Sequence, residues 1–455
     1  LAKGSNAQNI FSETTTEGIA MPKRYVFWRG PDSKPISGPR GAPTEILRNW
    51  GLKTEVTKEG KTSWNMFNPR YDEALKMAVF IGDDGIELNS SDASRIVLEA
   101  LREEAKSVGG GKPIDPGKFL TRADMLAANF FKTPRTDYVL ITTLSVRNMP
   151  VEKVTVGGTE IRFLKDRSFY RLPKVLAELP GHSPYQVHIK ATQYQWVAIA
   201  TSGRSWAEAI DSAMHAVSLF RAIWTMAKTY GRKTIRFGSG LAIPISVIHI
   251  GPVQTLHRQD GEPVSDEFYW RDTDPRPDRD IFDPRNDWEQ LQKIQDHVQN
   301  KLVSLPYRVE IEQILIRYIA ALDNPDYDVA SLQMWAILET ITDTVGRYDE
   351  TAKRAAWIWV ERVLGKQVVE CLRIQRNRYV HASQPSNERE EGTHLVKAVV
   401  EPLLEFLIDN GFNVSSISEF AEVLALPTDQ KELRRQKSLI ETGLRIHQPP
   451  LDYSI

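Results

Sequence analysis

The chain has 455 residues, with 58 Lys and Arg against 59 Asp and Glu and 41% hydrophobic residues. That length predicts about two to three domains, and the composition excludes wholesale disorder. A net charge of −1 excludes a protein that coats nucleic acid by bulk electrostatics.

A single cysteine, Cys371, excludes an intrachain disulfide and a CxxC-type zinc site, and fits a reducing cytoplasm. No apolar run approaches the roughly 18 residues that span a bilayer, and residues 1–24 lack the basic-then-apolar order of a signal peptide. The expectation is a cytoplasmic protein with no membrane partner.

Residues 1–40 read as a loosely ordered segment, apart from the aromatic patch Tyr25–Trp28. The run Lys23–Arg29 carries rings and cations that stack bases elsewhere, but a strand with its apolar residues inward is the better reading. Residues 41–270 mix strands and helices and are expected to form an α+β domain. A helix is predicted over Asp92–Ser107, stopping at Gly109–Gly111. Lys153–Leu164 predicts a hairpin, with Val154 and Val156 alternating before Gly157-Gly158 and Ile161 and Phe163 after it. Tyr185–Ala200 reads as extended, which puts His188 in a strand-like run, as it does His249. Ser205 and Glu208 then form a capping box for a helix with the stripe Ile210, Ala213, Met214, Val217 and Ile223/Trp224, ended by Gly231. Strand-rich sequence resumes near Lys233–Ile250.

Residues 271–287 hold six aspartates and three prolines, which suit neither a helix interior nor a paired strand. This segment is expected to be a solvated linker and the boundary between two halves. Beyond it, helices are predicted near 288–303, 307–322, 329–345, 351–381 and 394–409. Connections this short favour antiparallel neighbours, so residues 288–410 predict a helical bundle. Residues 411–455 form a helical extension, near 416–424 and 429–443. The fold class expected is an α+β first half followed by an all-α bundle.

Phosphate-binding loops, nucleophile elbows and HExxH or dinucleotide fingerprints are absent from the sequence, and its nine histidines are scattered. No cofactor and no metal are expected. The informative stretch is Gln367–His381. On a helix, Val368, Leu372, Arg376 and Tyr379/Val380 share one face, which places Arg376 where a leucine is expected. Arg373, Asn377 and His381 form an adjacent row, with Arg378 nearby. Residues 351–382 carry seven Lys or Arg against two Glu, a concentration of cations around a histidine. In the preceding helix, Leu332, Trp335 and Ala336 form a second apolar stripe that Glu339 continues. An acid there predicts an internal partner, and Arg376 is the natural one.

A helix such as Leu332–Thr342, then a longer helix ending in Arg376-Asn377 and His381, then a closing amphipathic helix, resembles the HEPN superfamily, and most closely its Apea-like bacterial members. The resemblance covers roughly residues 288–410. Bare arginine-to-histidine spacing is a weak signal, since Arg389 and His394 match it too, in a segment read as a loop. The polar Asn377 and the helix-end position distinguish the first match.

The resemblance implies a metal-independent endoribonuclease with Arg376, Asn377 and His381 as catalytic residues. Glu339, Arg373, Arg378 and Tyr379 would support them. It further implies RNA, such as tRNA, as substrate, a homodimer with two motifs facing one cleft, and a role in antiphage defence or a toxin system. The first half would then respond to a phage or cellular trigger. On a straight helix, positions 376 and 381 diverge by roughly 140°, at 100° per residue. They converge only if the helix unwinds near His381 or a second copy supplies the missing group. Two rival classes are a non-catalytic module that binds RNA or nucleotide, and an assembly protein in which Arg376 and Glu339 staple the bundle.

Overall fold

The structure is a computed structural model that describes residues 23–30, 35–36, 43–64, 69–83, 86–230, 245–267, 269–272, 281–382 and 389–447. The expectation of loose order over 1–40 therefore falls largely outside the described residues, as do much of the Pro/Asp-rich segment, Gly231 and most of Lys233–Ile250.

Two compact units divide the chain, one holding residues up to 138 together with 202–212, the other holding 139–201 and everything from 213 onward. In the first unit, strand β1 (Val26–Arg29) buries Val26 and Trp28, so the aromatic patch is a core strand. It pairs antiparallel with β2 (Pro35–Ile36), which precedes helix α1 (Pro43–Lys53) and a separate hairpin of β3 (Thr54–Val56) and β4 (Thr62–Trp64). Helix α2 (Pro69–Ala78) leads into β5 (Val79–Asp83) and β6 (Ile86–Glu87), completing a sheet of order β2-β1-β5-β6. Helix α3 (Ser90–Val108) is capped by the Asn89 side chain and ends at Gly109, whose φ of 85° suits a residue without Cβ. Helix α4 (Pro116–Lys132) starts at the Asp115 cap with proline in its first turn. The apolar faces of these two helices close the core with Leu47, Trp50 and Phe119.

The second unit begins in β7 (Thr136–Leu144). Its hairpin, β8 (Lys153–Val156) and β9 (Thr159–Phe163), turns at Gly157 and Gly158, with φ of 58° and 85°. Short helices α5 (Lys174–Ala177) and α6 (Pro184–Ala191) precede β10 (Gln195–Gly203) and helix α7 (Trp206–Thr229). Strands β11 (Val253–His257) and β12 (Trp270–Arg271) complete a sheet of order β12-β11-β7-β10-β9-β8. Tyr185–Ala191 is thus helical, not extended. Pro184 supplies a first-turn φ, and His188, buried on α6, lies 2.8 Å from the Thr143 hydroxyl. At the start of α7 the Ser205 hydroxyl accepts the Glu208 N–H, while the Glu208 carboxylate takes the Arg204 N–H in place of that of Ser205.

Helices then dominate: α8 (Trp288–Ser304), α9 (Arg308–Asp323), α10 (Tyr327–Ile341), α11 (Tyr348–Ala355), α12 (Arg362–Ala382), α13 (Arg389–Asp409), α14 (Ile417–Ala425) and α15 (Gln430–Ile446). The helical second half is as expected, with one break: 351–381 is two helices separated by a turn at Ala356–Ile358. Gly365 sits there against the Trp359 ring, where a Cβ would come within 2.6 Å.

The division between units does not fall at 271–287. Helix α7 binds the strands and the helices of the second unit together. Its Trp224 indole N–H donates to Gln295 on α8 at 2.7 Å. Arg221, buried, donates to the Ile248 carbonyl and pairs with Asp323 of α9. The end of the expected linker is likewise stitched in, since Phe282 N–H donates to the Ser145 carbonyl and Asp283 caps a short turn at Pro284–Asn286. At the centre, Lys397 of α13 pairs with Glu401 at 2.7 Å and donates to the Thr229 carbonyl at the end of α7, while the Tyr318 hydroxyl donates to Glu401 at 2.6 Å.

Candidate functional site

The candidate site forms where α10, α11, α12 and the start of α13 meet. After α10 the chain turns through Asp343 and Gly346, both at positive φ. A buried run of hydroxyls, Thr342, Thr344 and Thr351, with contacts of 2.7 and 2.6 Å, fixes the start of α11 to the end of α10. Arg354 adds a bond to the Thr342 carbonyl at 2.7 Å. These contacts hold Tyr348, the first residue of α11, in place.

On α12 the buried stripe is Gly365, Val369 and Leu372, and Arg376 is its next member, half-buried. The guanidinium of Arg376 lies 4.2 Å over the Tyr348 ring. One of its nitrogens donates to the Tyr348 hydroxyl at 3.1 Å, and the other donates to the Asn377 side-chain oxygen, also at 3.1 Å. Arg376 and Asn377 are therefore in contact, and Tyr348 is a partner that sequence reasoning missed. Its only signal was an aromatic residue just past a helix-ending glycine.

The expected pairing of Arg376 with Glu339 does not occur. Glu339 is buried and accepts the Trp335 indole N–H, one turn earlier on its own helix, at 2.8 Å. A local donor satisfies the acid, so it needs no cation from α12. Arg373 is neutralised too: it hydrogen-bonds Glu370, and Asp349 lies 3.4 Å away. Hydrogen bonding to Arg373 holds the Glu370 carboxyl below its usual range despite some desolvation. Arg378 is exposed, and Tyr379 is half-buried. His381 lies on α12, five residues beyond Arg376, and its side chain is outside the described residues. The helix runs through Ala382 without unwinding, so the two positions stay roughly 140° apart about its axis.

A small cleft opens beside Arg376. Asp328, Ser331 and Leu332 of α10 form one wall, Gln375 and Tyr379 of α12 another, and Arg389 closes it from the first turn of α13. Gly392 allows that approach, because a Cβ there would stand 2.5 Å from the Gln375 side-chain oxygen. Arg389 lies where the sequence predicts a loop. It begins a helix, and the fold brings it to the cleft that Arg376 lines. Neither arginine has a carboxylate ion-pair partner among the described residues. Burial, with Lys397 nearby, pushes the His394 imidazole below its ordinary value, and its buried Nδ1 makes no hydrogen bond among the described residues. Two guanidiniums, a phenol and a hydroxyl line this cleft together with the buried Asp328 carboxylate, and its volume of about 10 Å³ admits a single water.

Among the described residues there is no group of three or more His, Cys, Asp or Glu placed to hold a metal ion, and no helix long and apolar enough to cross a membrane. No family model, no curated protein and no solved structure matches the chain.

Proposed function

We propose that residues 288–410 form an HEPN-type bundle and that the protein is a metal-independent endoribonuclease, acting as a homodimer in bacterial defence or a toxin system. The observation that carries this reading is the state of Arg376. Its guanidinium is oriented by Tyr348 and Asn377, makes no direct ion pair with a carboxylate among the described residues, and borders a cleft that Asp328 also lines. A pre-set cation outside any direct ion pair suits charge that builds on a phosphate in the transition state.

In the proposed reaction a ribose 2′-hydroxyl attacks the adjacent phosphorus, the P–O5′ bond breaks, and a 2′,3′-cyclic phosphate and a 5′-hydroxyl result. The His381 imidazole of one copy takes the 2′ proton, and that of the other returns a proton to the leaving 5′-oxygen. Arg376 offsets the phosphate charge, and Asn377 orients the scissile phosphate. DNA lacks the attacking group. Val363, Leu364 and Ile374 of α12 are exposed apolar residues available to a second copy, with Gln367, Glu370 and Cys371 between them.

A second reading, phosphate binding without cleavage, is favoured by the unbroken α12, which separates Arg376 from His381 within one chain. Incubation with tRNA and bulk RNA in EDTA distinguishes the two. The ribonuclease reading expects cleavage that persists in chelator and falls at least 100-fold in His381→Ala. Cleavage that the substitution leaves unchanged, or that chelator abolishes, overturns it. An inactive wild type that binds RNA in a salt-dependent way, with affinity lost in Arg376→Ala, establishes the binding module.

A further inference from the structure

A second concave site lies far along the sequence from Arg376, in a groove of about 440 Å³ between the edge strand β8 and helix α8. Trp288, Gln292, Asp296 and Asn300 recur every four residues along α8, so they form one row on the helix, and all four line the groove. The neighbouring row ties the helix to the strand. Gln299 donates to the Thr155 carbonyl at 2.7 Å and Gln295 donates to the same oxygen at 3.5 Å. Lys153, Val154 and Thr155 stand on the opposite wall, with the Lys153 ammonium 2.7 Å from Glu160.

Three features decide what fits. The side chains of Gln292, Asp296 and Asn300 make no hydrogen bond or ion pair among the described residues, so a carboxylate flanked by two carboxamides is available to a ligand. The outward carbonyl of Thr155 is already taken by the two glutamines, which closes that edge to an added peptide strand. The lining is too polar for an apolar ligand, yet it holds one indole.

We propose that this groove binds guanine, presented by a free nucleotide or by single-stranded RNA. Guanine offers two adjacent donors, N1–H and N2–H₂, to the Asp296 carboxylate, and an acceptor on either side of them, O6 and N3, to the carboxamides of Gln292 and Asn300 that flank Asp296 along the helix. Trp288, about 12 Å before Asp296 along the helix, offers its ring to a neighbouring base of an oligonucleotide, and the Lys153 ammonium, shared with Glu160, faces the phosphate. Adenine presents one donor and one acceptor on the same edge, so a lone pair would face the carboxylate. This assignment does not rest on the ribonuclease reading, because it concerns equilibrium binding and needs no cleavage.

The test is calorimetric titration of the full chain with GMP, with AMP, and with a short oligoadenylate containing one guanosine. GMP is expected to bind saturably and at least tenfold more tightly than AMP, and Asp296→Asn is expected to erase the preference. Asp296 is exposed, so the variant should melt with the wild type. Tighter binding of the guanosine-containing oligonucleotide than of GMP identifies RNA as the source, and the reverse order identifies the free nucleotide. Absence of saturable guanosine binding, equal affinity for GMP and AMP, or a preference that survives Asp296→Asn overturns the assignment.

Discussion

Arg376 shows how far a single residue can be read before folding. A cation on an apolar stripe signals either a partner or a wet cleft, and the structure provides both, an aromatic ring beneath the guanidinium and a cleft beside it. The identity of the partner was not legible. Glu339 was the obvious acid, but Trp335 satisfies it locally, and Tyr348 lies on a different helix, 28 residues before Arg376. Tyr348→Ala removes both ring and acceptor and is expected to cost about 1–2 kcal/mol. Tyr348→Phe keeps the ring and is expected to cost less than about 1 kcal/mol. Urea midpoints of the two variants make the check; equal losses would mean that the ring contributes nothing.

Helix boundaries set by side-chain caps were legible, because a cap is a local device. Asp326 accepts the N–H groups of Asp328 and Val329 at the start of α10, and Ser416 and Asp429 do the same for α14 and α15. Elements decided by tertiary contact were not. Val187 and Ile189 alternate like strand residues, but Tyr185, Gln186, His188 and Ile189 are the buried ones on α6, at helical spacing. The turn between α11 and α12 contains neither proline nor glycine, so nothing local announced it. Helix α12 also carries the chain's one cysteine, Cys371, exposed between Leu364 and Ile374 along the helix. If two copies pair through this face, a short bis-maleimide should link wild-type chains into a covalent dimer. A Cys371→Ser control should give none, and a wild type that stays monomeric on denaturing gels would exclude that face as the contact.

The second unit as a whole depends on a charge at its centre. Lys397 and Glu401 are both almost fully buried, and burial pushes the lysine below its ordinary pKa against the pull of its acid. Such a pair is costly to break, because one deletion strands the other charge. Lys397→Met is expected to lose about 3–5 kcal/mol, read from urea unfolding, with much of that recovered when Glu401→Gln is added. This network joins α7, α9 and α13 across nearly 170 positions, which explains why the aspartate-rich segment does not divide the unit. Composition registers local polarity but not which distant helices share a core.

The unbroken α12 has a physiological consequence under the proposed function. On that reading a lone chain would be half an enzyme, and turnover at low abundance would scale with the square of the copy number. A twofold rise in copy number would then raise turnover about fourfold, so activity would depend on expression level more steeply than for a monomeric enzyme.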